Sequence, residues 1–403
     1  MVGGSRTRES VLKFYHLEHH ARLETSARSR LEVVSAGLKP YPLFGHLPFW
    51  AGDPLALLEG HAAQSDLFEL RLGVRAFVGY SPAWNKLLLS NLETFRSAGS
   101  FSKFIPYLAG GVILKDLPDH KPRRTDLNPG FHAHALEHLR NVIGAALGPI
   151  APSGQFDARA WASSAVLLAL NASFFEGEFD AVLLEDFLKP LHNPFPAPLL
   201  PRPALFRRVN RELQRLLESR QRTKRHDLLS YLLRFSDPLE EARISLAAGY
   251  DTTAHTLTWA SWHIATDPHW RTDLESAIKE TLRLYPPGFI GSRRASRDVI
   301  FEGQRIPRGS MVLYSPYLTH RAAINYAAPR EWQPQRFAAS PPAWAYLPFG
   351  GGERICLGMH LANLIIKSAL ETLFSAPVRP VSGDPSPKPG LTLAPRGALM
   401  LER

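Results

Sequence analysis

Phe349-Gly350-Gly351-Gly352-Glu353-Arg354-Ile355-Cys356-Leu357-Gly358-Met359-His360-Leu361-Ala362 contains the only cysteine in a chain of 403 residues. A single thiol forms no internal disulfide, and it cannot complete a zinc or iron–sulfur site that needs several thiolates. What one thiolate does alone is act as a nucleophile or hold a haem iron from one side. The neighbours favour the second role. Gly352 and Gly358 lack the Cβ that would keep the backbone away from a flat ligand. Backbone N–H groups after Cys356 can point at the sulfur and stabilise its charge. Phe349 is placed to shield the sulfur from water, and Arg354 offers a fixed positive charge to a carboxylate of the ligand.

This spacing is the signature of cytochrome P450, and the chain resembles that family here. The resemblance covers about residues 39–403 and implies a mainly α fold with a small β region. It also implies a haem b cofactor (iron protoporphyrin IX) with Cys356 as the iron ligand. Residues 1–38 are mixed and basic, and read as an N-terminal extension outside the P450 domain.

Whole-chain composition agrees with a globular protein. Hydrophobic residues make up 45% and charged residues 21%, which is ordinary for a soluble protein. No stretch approaches the ~18 consecutive apolar residues of a membrane span, and no secretory pattern opens the chain. Scarce cysteine fits a reducing compartment, so the expected location is the cytoplasm, with peripheral membrane contact left open. The net charge is +10, but the basic residues are scattered and no nucleic-acid motif accompanies them. A basic face would instead steer an acidic ferredoxin or flavodoxin-type electron donor, which the resemblance implies together with its reductase. A monomer is expected.

The apolar pattern predicts short strands at Leu67–Leu72 and Ala76–Gly79 and a helix at Pro82–Ser90. Helical periodicity dominates from 133 to 250, broken by Pro190, Pro194, Pro196, Pro198, Pro201 and Pro203. A long helix is expected from Leu239 to Ala265 and another from Glu275 to Leu284. Short strands should occupy 292–318, with a further helix over 358–375.

Within the long helix lies Ala248-Gly249-Tyr250-Asp251-Thr252-Thr253. Glycine and two threonines are poor helix formers and invite a reason. The motif resembles the P450 oxygen-activation segment, in which Thr252 would bond dioxygen, Asp251 would relay protons from solvent and Gly249 would leave room. Glu280-Thr281-Leu282-Arg283 puts opposite charges three apart on a helix. With Arg336 in Pro334-Gln335-Arg336-Phe337, these residues resemble the buried scaffold network of the family. His120-Lys121-Pro122-Arg123-Arg124 supplies His120 and Arg124 as candidate haem-propionate partners. Arg293 is a third, its neighbour Arg294 being the competing choice. Phe101, Phe104, Ala248, Phe289, Ile290 and Leu393 fall where the family builds its substrate pocket.

The stretch Leu282–Arg321, and the short step from Thr252 to Glu280, resemble compact bacterial P450s of the Thermus–Deinococcus type. Those enzymes hydroxylate the β-ionone ring of carotenoids. The expected reaction is insertion of one atom of O2 into a C–H bond of an apolar substrate, a carotenoid ring at C2 or C3. Fatty acid, terpenoid and polyketide hydroxylases share parts of the pattern. A haem-thiolate sensor would have little use for Asp251 and Thr252.

Overall fold

A computed structural model describes residues 39–97, 111–192, 200–223 and 225–403. The extension over residues 1–38, and Phe101 and Phe104, lie outside the described residues. Chain contacts divide the protein into two compact units that part after Arg75.

The described part of the first unit holds α1 (Leu47–Gly52), α2 (Pro54–Ala62) and β1 (Leu67–Arg71). Asp53 starts α2: its carboxylate accepts from the Leu55 and Ala56 N–H groups at 3.1 Å, and Pro54 occupies the first helical position, where its missing N–H costs nothing.

The second unit opens within β2 (Arg75–Gly79), at Ala76, and continues with α3 (Pro82–Ser90) and β3 (Phe95–Arg96). Then come α4 (His120–Phe131), α5 (Ala133–Leu136), α6 (Leu139–Leu147), β4 (Gln155–Asp157), α7 (Ala158–Phe175) and α8 (Ala181–Leu188). The proline-interrupted stretch separates α8 from α9 (Pro203–Arg222), which Pro203 opens from the first position; α10 (Leu228–Leu232) follows. The long helix is α11 (Pro238–Thr266). It starts on a proline with Glu240 and Glu241 in its first turn, negative charges that match the helix dipole. It runs through the core, packed along α7 and on α14 (Met359–Leu373). Its threonines are tolerated because their hydroxyls fold back on carbonyls one turn earlier: Thr252 on Ala248, Thr256 on Thr252 and Thr258 on Ala254, at 2.7–2.8 Å.

After α12 (Leu274–Leu284) come β5 (Gly291–Ala295), β6 (Val299–Phe301), β7 (Gln304–Ile306) and β8 (Met311–Tyr314). Strand β2 pairs in parallel with β8, β8 antiparallel with β5, and β5 antiparallel with β3. The expected run of strands to residue 318 is cut short by α13 (Pro316–Thr319). Ser315 accepts from the Leu318 N–H and Pro316 sits first, a helix-start signal inside a strand-rich stretch. The chain ends in β9 (Arg379–Gly383), the hairpin β10 (Pro387–Pro389) and β11 (Leu393–Pro395), and β12 (Leu399–Glu402), which pairs with β4 and β9.

Candidate active site

The cysteine loop is shaped by the protein itself. The Cys356 N–H donates to the Phe349 carbonyl at 2.9 Å, closing the turn. Gly352 has φ +65, and a Cβ there would lie 2.1 Å from the Leu89 carbonyl oxygen. Its glycine is therefore demanded by the end of α3 rather than by a ligand. At Gly358 a Cβ would meet nothing within 4 Å, so the open face lies there. Cys356 is exposed, yet burial pushes its thiol pKa up, against the opposing effects of the Gly358 N–H and the Arg124 charge.

Three arginines and a histidine lie close enough to shift one another's pKa, and Arg124 also acts on the Cys356 thiol. Burial lowers the His120 pKa to about 4, aided by the charges of Arg354, Arg124 and Arg293 and opposed by Asp116. Burial and the Arg293 charge lower Arg354 to about 10, and burial lowers Arg124. Alternation along β5 leaves Arg293 half-buried and Arg294 exposed. His120 Nδ1 and Arg293 Nε are buried without a hydrogen-bond partner. Like charges crowded together with orphaned polar atoms form a cradle for a dianion. The two propionates of haem, with one thiolate below the ring, fit this donor set.

Arg354 also has protein partners. It donates to Ser97 Oγ at 2.5 Å and to the Lys115 and Ile113 carbonyls at 2.7 and 3.3 Å. Around it, Arg96 and the Ser97 N–H both bond Asp116, and the Val112 N–H donates to the buried Glu241.

The scaffold network is assembled as a unit. Arg283 clasps Glu280 through two bonds of 2.7 and 2.8 Å, both side chains fully buried. Arg336 reaches the same carboxylate at 3.0 Å, and the Gln333 N–H adds a third donor at 2.8 Å. The rest of the Arg283 fork donates to the His320, Pro329 and Glu331 carbonyls. His320 carries this order to the cysteine loop: the Leu347 N–H donates to Nε2 at 2.7 Å, so Nδ1 holds the proton and donates to the Arg283 carbonyl. Burial drives the His320 pKa down to about 3.

On the distal side, Ala248 is exposed and Thr252 half-buried on a helix whose other faces are mostly buried. One turn apart, they share a face. The Thr252 hydroxyl donates to the Ala248 carbonyl, which leaves its oxygen free to accept. Gly249 points elsewhere: a Cβ would sit 3.4 Å from Leu170 on α7, so it serves helix packing and the helix does not open there. Asp251, expected to reach solvent, is 3% exposed and accepts from Thr392 Oγ1 at 2.5 Å. His255 lies beside it, Nε2 3.7 Å from Asp251 Oδ1 and Nδ1 3.1 Å from Thr392 Oγ1. Among the pocket candidates, Ile290 is half-buried, whereas Phe289 and Leu393 are buried. Sequence reasoning missed His255 and His320, and the bond from Thr392 to Asp251. His255 lay in plain view one turn after Asp251.

The Cytochrome P450 family profile matches residues 272–376. Cyclooctat-9-en-7-ol 5-monooxygenase of Streptomyces melanosporofaciens is 27% identical, over 85% of this chain and 89% of its own length. Pentalenene oxygenase of Streptomyces avermitilis is 28% identical, over 86% and 94%. A six-coordinated cytochrome P450 from Thermus thermophilus shares the fold with TM-score 0.73 and 26% identity, covering 87% of this chain and 98% of its own. A retinoic acid-bound cyanobacterial P450 reaches TM-score 0.76 at 20% identity, covering 91% and 98%. Fold and single-thiolate loop define a haem protein of mainly α architecture. The chain belongs to the cytochrome P450 family and is a monooxygenase. Among the described residues, no helix is long and apolar enough to cross a membrane.

Proposed function

We propose that this P450 hydroxylates the β-ionone ring of a carotenoid at C2 or C3. The support is twofold. Relatives matched over most of the chain act on terpenoids, and the Leu282–Arg321 stretch narrows that class toward the carotenoid group. The observation that carries the site is the open Ala248–Thr252 face on an otherwise buried helix, which presents a methyl group and one hydroxyl to an apolar substrate.

Haem, once bound, activates dioxygen with electrons delivered one at a time, so that one oxygen atom enters a C–H bond. Cys356 would hold the iron, its thiolate supported by the Gly358 N–H. Arg124, Arg293, Arg354 and His120 would hold the propionates. Thr252 accepts a hydrogen bond on the cavity side while donating to Ala248, which fixes the hydroxyl direction. Asp251 supplies protons to that hydroxyl from behind the face. Glu280, Arg283 and Arg336 hold the cysteine loop in register. A cytoplasmic monomer, served by an acidic ferredoxin or flavodoxin drawn to the basic surface, completes the proposal.

The test is to titrate the purified enzyme with β-carotene and γ-carotene, supply electrons, and identify products by mass spectrometry. Ring-hydroxylated carotenoid is expected. No spectral response to either carotenoid, with turnover of a cyclic terpene or fatty acid, would sink the carotenoid assignment and leave the monooxygenase intact.

A further inference from the structure

The Asp251 carboxylate is not an isolated acid. Three polar side chains from two distant parts of the chain close a small circuit behind the Ala248–Thr252 face: Asp251 and His255 one turn apart on α11, and Thr392 at the tip of the β10–β11 hairpin. Asp251 and His255 are 3% and 2% exposed. The hairpin tip is held in place by backbone bonds, Gly390 N–H to the Thr392 carbonyl at 3.0 Å and Leu393 N–H to the Pro287 carbonyl at 3.1 Å.

The proton arrangement follows from counting donors. Thr392 has one hydroxyl proton, and at 2.5 Å it is committed to Asp251 Oδ2. Toward His255 Nδ1, 3.1 Å away, the same oxygen can only accept. Nδ1 therefore carries a hydrogen. The other ring nitrogen faces Asp251 Oδ1 at 3.7 Å, where a lone pair would oppose a carboxylate and a second N–H would attract it. A buried carboxylate is sustained by a paired positive charge, and a doubly protonated His255 supplies one.

We propose that Asp251, Thr392 and His255 hold one transferable proton directly behind the Ala248–Thr252 face, with Thr392 and His255 as positioning residues for Asp251. A proton leaves His255 Nδ1 for Thr392 Oγ1 as the Thr392 hydroxyl proton passes to Asp251 Oδ2. One N–H and one O–H bond break, two O–H bonds form, and the charges on His255 and Asp251 cancel. Asp251 is then a neutral acid one residue from Thr252. This inference rests on reading Asp251 and Thr252 as the proton-handling pair.

The protein holds sixteen histidines, so the signal of His255 is assigned by its absence in His255→Gln. In 15N-histidine-labelled, haem-loaded enzyme, kept diamagnetic as the ferrous carbon monoxide form, His255 should show two nearly equal ring-nitrogen shifts, the mark of imidazolium. In Asp251→Asn the two should split, as in a neutral ring. A split pair in the unaltered enzyme overturns the proposal. As a second measure, Thr392→Val should keep the haem spectrum, divert electrons to peroxide and slow product formation by about tenfold or more, while Thr392→Ser restores both. Coupling unchanged in Thr392→Val also overturns it. Thr252→Ala, with normal coupling, would reject the underlying pair while leaving the His255 charge measurement standing on its own.

Discussion

At the scale of single residues, the decisive groups are those whose charge has been taken out of water. Glu280 accepts from Arg283, Arg336 and the Gln333 amide in full burial. Glu280→Ala would strand the Arg283 guanidinium with no carboxylate, at a cost on the order of 3–5 kcal/mol. Little or no haem-loaded protein is expected, measured as haem absorbance per milligram of soluble chain; a soluble variant with a normal spectrum would refute the role. Thr252 is the opposite case, since its hydroxyl only back-bonds to Ala248 and bears no weight in the fold. Thr252→Ala should retain haem and stability but release reducing equivalents as peroxide, read by oxidant balance during turnover. Much at this scale was legible in the sequence. Glu280 and Arg283 lie three apart, and Cys356 stands among glycines. The bond from Thr392 to Asp251 was not, because it spans 141 positions and no local pattern encodes it.

At the scale of elements, the glycines show how tertiary neighbours reassign a correctly noticed residue. Sequence alone placed Gly249 and Gly352 toward ligands, since missing side chains suggest room for something. In the fold, Gly352 makes way for the Leu89 carbonyl and Gly249 for Leu170. The two differ in severity. Gly352→Ala combines a left-handed φ, which costs an L-residue roughly 1–2 kcal/mol, with a backbone clash that cannot be relieved by a rotamer change. It should lose the thiolate-type carbon monoxide band. Gly249→Ala meets the flexible Leu170 at ordinary contact distance and gains helix propensity of up to about 1 kcal/mol. Its denaturation midpoint should hold or rise; a marked fall would mean that α11 and α7 tolerate no added atom. Helix and strand positions themselves were readable from periodicity. One exception, α13, followed from Ser315-Pro316, a start signal too short to register in a window of apolar spacing.

At the scale of the whole molecule, buried neutral histidines set an acid limit on stability. His263, stacked between Tyr285 and Trp332, and His320 both have pKa values driven from 6.5 to about 3 by burial. Above pH 6.5 both are neutral in the folded and unfolded chain, and stability is at its full value. Below 6.5 the unfolded chain binds protons that the fold refuses, so stability falls as the pH drops toward 3. Each histidine contributes about 1.4 kcal/mol per pH unit. Urea midpoints should therefore decline steadily from pH 6.5 to 5, before most carboxylates titrate, and His263→Phe should flatten the decline while preserving the stack. Midpoints constant over that window would contradict neutral burial of these rings.

The bonds around Ser97 and Val112 carry an implication for engineering. Ser97 is held by Asp116 and Arg354, and Val112 by Glu241. Ser97 and Val112 are therefore fixed boundaries for mutagenesis of the sequence between them. A library confined to residues 98–110 would vary whatever that stretch contributes to substrate choice. It would leave untouched the arginine that stands two positions from the cysteine.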